Sequence, residues 1–133
     1  MTFGFLAPWS SQILSLLRIM TGLLFFSHGS AKYFQFPHVA AFDAMQPMQP
    51  LSLVGVAGIL EIVGGALIVI GLFTRPVAFI LSGMMAVAYF MAHAPQNFQP
   101  LLNGGEPAIL FCFIFLYLAA AGGGAWSVDA MRR

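Results

Sequence analysis

Charge and cysteine are what this sequence has least of. Only 7% of its 133 residues are charged, five basic and four acidic, for a formal net charge of +1. Globular domains usually carry about a quarter charged residues, so most of this surface cannot face water. A soluble enzyme or binding domain is therefore a poor reading. No basic stripe or basic-aromatic run is present, which excludes nucleic acid as an expected partner. Cys112 is the single cysteine. An internal disulfide, a Cys-x-x-Cys relay and a cysteine-built metal site all need more than one, and the plain role of Cys112 is that of a small apolar residue. The opening MTFGFLAPWSSQ has no positive charge before its apolar run, so it is not expected to be a cleaved signal. It is expected to lie in the membrane interface, with Trp9 at headgroup level.

What is abundant is apolar. Hydrophobic residues make up 60% of the chain, and the mean hydropathy is +0.92. A membrane span needs roughly 20 such residues to cross about 30 Å of hydrocarbon. Four stretches qualify, at about 11–34, 51–73, 76–94 and 107–122. The segments between them are rich in breakers: FPHVAAFDAMQPMQP, FTRP, and HAPQNFQPLLNGGEP, with GGGAWSVD after the fourth. A short amphipathic helix is expected around 38–45. Backbone groups in lipid must bond within their own segment, so the spans are helices. The expected fold is all-α, a single 1–133 domain forming an integral membrane four-helix bundle. Arg75, Arg132 and Arg133 fall on the side of the termini and second loop, against Lys32 on the other. The excess of positive charge predicts that both termini are cytoplasmic, N-in and C-in.

The few charges inside the spans carry the functional question. On a helix, Arg18, Gly22, Phe25, Gly29 and Lys32 share one stripe, which predicts the buried face of the first span. His28 lies beside it. Glu61 is mid-span in the second segment, Tyr89 and His93 lie on one face of the third, and Glu106 opens the fourth. Counting about 1.5 Å per residue puts Arg18 roughly 10 Å and Glu61 roughly 15 Å from the inner boundary. Two ion pairs are thus expected, Arg18 with Glu61 and Lys32 with Glu106, because an unpaired intramembrane charge costs at least about 2.5–3.5 kcal/mol. Such a pair can serve register alone or a ligand. His28, Lys32, Glu61, Tyr89, His93 and Glu106 together make a candidate outer-leaflet pocket suited to a quinone headgroup, a sulfur oxyanion or a lipid headgroup. No His-x-x-x-His pair or carboxylate cluster accompanies them, so no metal is expected. No nucleophile-base triad is visible, which leaves open whether the chain is an enzyme.

LRIMTGLLFFSHGSAK, with Arg18, Gly22, Phe26, Gly29 and Lys32, resembles the opening of the DoxX family of small bacterial membrane proteins. ILEIVGGALIVIGLFTRP, with Glu61, Gly64, Gly65, Gly71, Leu72, Thr74 and Arg75, is similar to that family's second span. NGGEPAILFCFIFLYLAAAGGGAWSVD is similar to its fourth, with Asn103, Gly104, Gly105, Glu106, Gly122, Gly124, Ser127 and Asp129. The resemblance implies a four-helix inner-membrane protein linked to sulfur or thiol redox, the family name coming from subunits of a thiosulfate:quinone oxidoreductase. The cofactor is left open, a quinone being one candidate and no metal or disulfide being expected; the expected partners are the lipid bilayer and other membrane redox subunits or further copies of the chain. The fold it implies is also similar to the vitamin K epoxide reductase bundle, but the paired cysteines of that chemistry are missing here. Three roles follow: an accessory subunit of a membrane redox complex, a quinone-linked oxidoreductase subunit, or a small-molecule or lipid-binding or transport protein.

Overall fold

A computed structural model describes residues 3–133. Every regular element among the described residues is helical. The chain divides into two compact units, residues 3–73 with the tail 123–133, and residues 74–122.

The first unit is built on two long antiparallel helices. A 3-10 turn at Gly4–Trp9 leads into α1, Ser10–Phe34. The side chains of Phe3, Phe5, Leu6 and Trp9 are exposed there, an apolar group of the kind that sits in a headgroup layer. α2 runs Leu53–Ile70. Ser52 caps its start by accepting the Gly55 N–H at 3.0 Å, which satisfies one of the orphan donors of the first turn. Its end is closed by Gly71 at φ +72°. There the Leu72 N–H bonds to the Leu67 carbonyl and the Gly71 N–H to that of Ile68, the left-handed closure that glycine adopts without a Cβ penalty. The loop between α1 and α2 carries a second 3-10 turn, Ala40–Met45, inside the region where a short amphipathic helix is expected.

Glycine sets how closely α1 and α2 approach. A Cβ on Gly29 would lie 2.6 Å from the carbonyl oxygen of Gly58, and one on Gly65 would lie 2.9 Å from the backbone of Phe26. Gly22 packs in the same way against Ile68 and Val69. Helices in lipid gain nothing from excluding water from one another, so close van der Waals contact between small residues is what joins them. The buried face of α1 includes Arg18, Gly22, Phe25, Gly29 and Lys32, the stripe that helical spacing predicts.

The C-terminal tail folds back onto this pair. The Asp129 N–H donates to the Gly71 carbonyl at 2.9 Å, and the Asp129 carboxylate accepts the Phe73 N–H at 2.8 Å. Phe73 has φ +53°, a conformation that costs a bulky L-residue about 1–2 kcal/mol, and the Asp129 bonds offset it. A short α6, Val128–Met131, follows.

The second unit pairs α3 with α5. α3 spans Thr74–Ala88 and continues through a π-helical turn, Tyr89–His93. After the short α4, Pro100–Asn103, comes α5, Glu106–Ala121. Leu81, Ala78 and Met85 are buried on α3 and Ala108, Phe115 and Leu118 on α5. The Ser82 hydroxyl donates to the Cys112 carbonyl at 2.8 Å.

Three helical stretches, Gly4–Phe34, Leu53–Ile70 and Thr74–His93, are long and apolar enough to cross a membrane. The fourth expected span is apolar but has only 16 residues, about 24 Å of helix. Its glycine-rich flanks, Gly104–Gly105 and Gly122–Gly124, end it at both sides.

Gly65→Leu is expected to lower the stability of the detergent-solubilised protein by about 1–3 kcal/mol through overpacking. Gly83→Ala should be nearly neutral, because a Cβ there meets nothing within 4 Å. Thermal unfolding of both variants in one detergent checks the contrast.

Candidate functional site

The antiparallel register set by the glycines decides which charges meet. Gly29 lies beside Gly58 and Glu61, so Lys32, one turn further along α1, reaches Glu61. The Lys32 ammonium and a Glu61 carboxylate oxygen form an ion pair. Lys32 is 9% exposed and Glu61 4%. Next to the pair, the Tyr33 hydroxyl donates to the Gly55 carbonyl at 2.7 Å and fixes the start of α2.

The loop after α1 closes over this pair. The Phe42 ring centroid lies 5.3 Å from the Lys32 Nζ, inside the range in which an aromatic face attracts a cation. The Gln46 side-chain amide donates to the Lys32 carbonyl at 2.8 Å and the Phe42 carbonyl at 3.3 Å. The first of these is one of the orphan acceptors at the end of α1. Met48, further along the same loop, is buried. His38 and Asp43 form an exposed pair across the 3-10 turn at 2.8 Å. His28 is exposed, close enough to Lys32 to feel its charge.

The expected pairing of Arg18 with Glu61 gives way to a different arrangement. Arg18 is 1% exposed and lies at the C-terminal end of α2. Its Nε donates to the Ile68 carbonyl at 2.9 Å and its Nη2 to the Trp126 carbonyl at 2.7 Å. Its Nη1 donates to the Gly123 carbonyl. The guanidinium thus stabilises the negative end of α2 and ties the tail to it. Depth counting failed because Glu61 and Ile68 are seven positions apart on α2, about 10 Å along the axis. Lys32, expected opposite Glu106, is bonded to Glu61 instead.

Tyr89, His93 and Glu106 belong to the second unit. The rings of Tyr89 and His93 are stacked at 6.3 Å. His93 Nδ1 lies 2.9 Å from the Asn103 carbonyl. A carbonyl only accepts, so Nδ1 is the donor in this contact. Asn103 is the hub that sequence reasoning did not single out as a site residue. Its side chain donates to the Tyr89 hydroxyl at 3.2 Å and the Asn97 carbonyl at 2.9 Å, and accepts the Gly105 N–H at 2.7 Å. The signal for it was the Asn-Gly-Gly string, where an amide side chain commonly closes a turn on a nearby backbone N–H. Glu106 stands exposed at the first turn of α5. Among the described residues no three His, Cys, Asp or Glu side chains come close enough to hold a metal ion.

Arg75 repeats the use of Arg18 in the second unit, donating to the Ala120 carbonyl at the end of α5.

The comparisons with known proteins bear on the first unit most directly. The family model described as DoxX matches residues 13–94, which takes in Arg18, His28, Lys32, Glu61, Tyr89 and His93. An uncharacterized protein of Haemophilus influenzae is 42% identical over 127 residues, 93% of this chain and 93% of that one. No solved structure matches.

Arg18→Met should cost about 2–4 kcal/mol, because it strands several carbonyls at the buried end of α2. Arg18→Lys should recover only part of it, since an ammonium lacks the guanidinium fork. Denaturant unfolding in mixed micelles reads both, and an unchanged Arg18→Met contradicts the capping role. Asn103→Ala should speed amide exchange at Gly105 by about tenfold or more through loss of its acceptor, measurable by hydrogen exchange with mass spectrometry.

Proposed function

The chain belongs to the DoxX family, and on that footing we propose that it is a small inner-membrane subunit of a membrane redox complex that binds a quinone headgroup at Lys32 and Glu61. The observation that carries this reading is the buried Lys32–Glu61 pair beneath an aromatic ring. The pair supplies one donor-rich cation and one carboxylate acceptor at a single place. A quinone carbonyl accepts a hydrogen bond, and the hydroxyl of its reduced form donates one, so the pair offers a partner to each redox state. Intramembrane ionisable residues are functional candidates by default. His28, beside Lys32, is a further group able to donate or accept there.

In this reading the apolar helices cross the inner membrane with both termini cytoplasmic, and the partners are other redox subunits or further copies of the chain. The chain itself positions the headgroup and lends it hydrogen bonds. The electrons come from and go to groups held by those partners. Tyr89, His93 and Glu106 form a second set of ligand-binding candidates, with Asn103 holding the first two in place. Binding of a lipid headgroup or another small molecule, as carrier or transporter, is the alternative.

The test is extraction and mass spectrometry of what co-purifies with the tagged protein in a mild detergent, beside a Glu61→Gln variant. A quinone near one per chain in the wild type, reduced about tenfold or more in Glu61→Gln, is the expected result. Co-purifying redox subunits would name the complex. A phospholipid in place of the quinone would move the function to the alternative, and quinone retained fully by Glu61→Gln would contradict the site.

A further inference from the structure

The segment over the Lys32–Glu61 pair is built as a cover. Phe42 is half-buried, and its ring covers the Lys32 ammonium, with the centroid 5.3 Å from Nζ. Both the ring and its turn are held by few bonds. Gln46 bonds to the Lys32 and Phe42 carbonyls, the Phe42 N–H to the Val39 carbonyl at 3.0 Å, and Asp43 to His38 at the surface. Ala41, Asp43, Ala44 and Met45 around it are exposed. A 3-10 turn has poorer hydrogen-bond geometry than an α-helix, and segments with few buried contacts open at low free-energy cost. The helices beneath are fixed by backbone-to-backbone contacts at Gly29 and Gly65. Ligand entry from the loop side therefore moves the turn and leaves the helices in place.

We propose that Phe42 is the gate of the Lys32–Glu61 site: its ring covers the ammonium, and the Ala40–Met45 turn swings out so that a quinone carbonyl oxygen can take the ring's place on Nζ. The exchange replaces the cation–π contact of Phe42 with a hydrogen bond from the ammonium to a ligand carbonyl oxygen, so the ammonium has a partner in both states. The inference rests on the quinone reading of the site, and its experiment separates the two.

The experiment is hydrogen exchange on the full chain in lipid nanodiscs, with and without a short-chain, water-soluble benzoquinone. Binding itself is measured in parallel by equilibrium dialysis for wild type, Phe42→Leu and Glu61→Gln. Phe42→Leu keeps an apolar side chain but removes the π face, and circular dichroism checks that its helices are intact. The expected result has two parts. On binding, amides of 40–46 exchange about tenfold faster while those of α1 and α2 do not. In Phe42→Leu, those amides exchange fast before any quinone is added and change little after. Binding that requires Glu61 but leaves exchange at 40–46 unchanged overturns the gate alone. Binding that survives Glu61→Gln, or no binding to the wild type, overturns the site reading and the gate with it.

Discussion

The contact on which the first unit depends is the close approach of α1 to α2 at glycine. Gly22, Gly29, Gly58 and Gly65 leave no room for a methyl group between the two backbones. In lipid this packing is the main attraction between helices, and it admits only one register. That register carries Lys32 to Glu61, Tyr33 to the Gly55 carbonyl, and Arg18 to the end of α2. The polar contacts follow from the apolar one. A chain with so few charges can then afford to bury three of them, because each arrives opposite a group able to receive it.

Arg18, Arg75 and Lys32 are received in two ways, and the residue type matches the way. Arg18 and Arg75 lie at the C-terminal ends of α2 and α5, where unpaired carbonyls project. A guanidinium presents several donors in a plane and can serve several carbonyls at once. Lys32, a point charge on a flexible stem, meets a single carboxylate and an aromatic face. Both arginines close helix ends, and Arg18 also holds the tail, which is structural work. The lysine pair closes nothing of that kind, and its cover is a short turn rather than a helix. This difference is why the functional reading rests on Lys32 and Glu61 and not on Arg18.

Much of this was legible in the sequence. The stripe of Arg18, Gly22, Phe25, Gly29 and Lys32 is a matter of helical period, and it is the buried face. The end of α5 at Gly122 was marked by the glycine run that follows it. Partner choice was not legible, because depth counted from assumed boundaries cannot fix register to within a turn, whereas glycine contacts can. Carbonyl oxygens were the second blind spot. They are present at every residue, so nothing in the sequence marks the ones that receive Arg18. Asn103 and Phe42 were missed for a related reason: each acts through a loop whose path no periodicity describes. α5, Glu106–Ala121, has the length expected from the sequence, 16 residues between two glycine-rich flanks.

The central claim is that the glycine-set register makes Lys32 and Glu61 an energetically coupled, buried pair. A double-mutant cycle with Lys32→Met and Glu61→Gln, read by reversible unfolding in mixed micelles, tests it most directly. The account predicts that Lys32→Met alone is costly, about 3–5 kcal/mol, because Glu61 is left buried without its cation. The double variant should recover much of that loss, giving a coupling of about 1.5 kcal/mol or more. Additive effects, with coupling near zero, would mean that the two side chains do not meet in the membrane, and the register with everything placed on it would be contradicted.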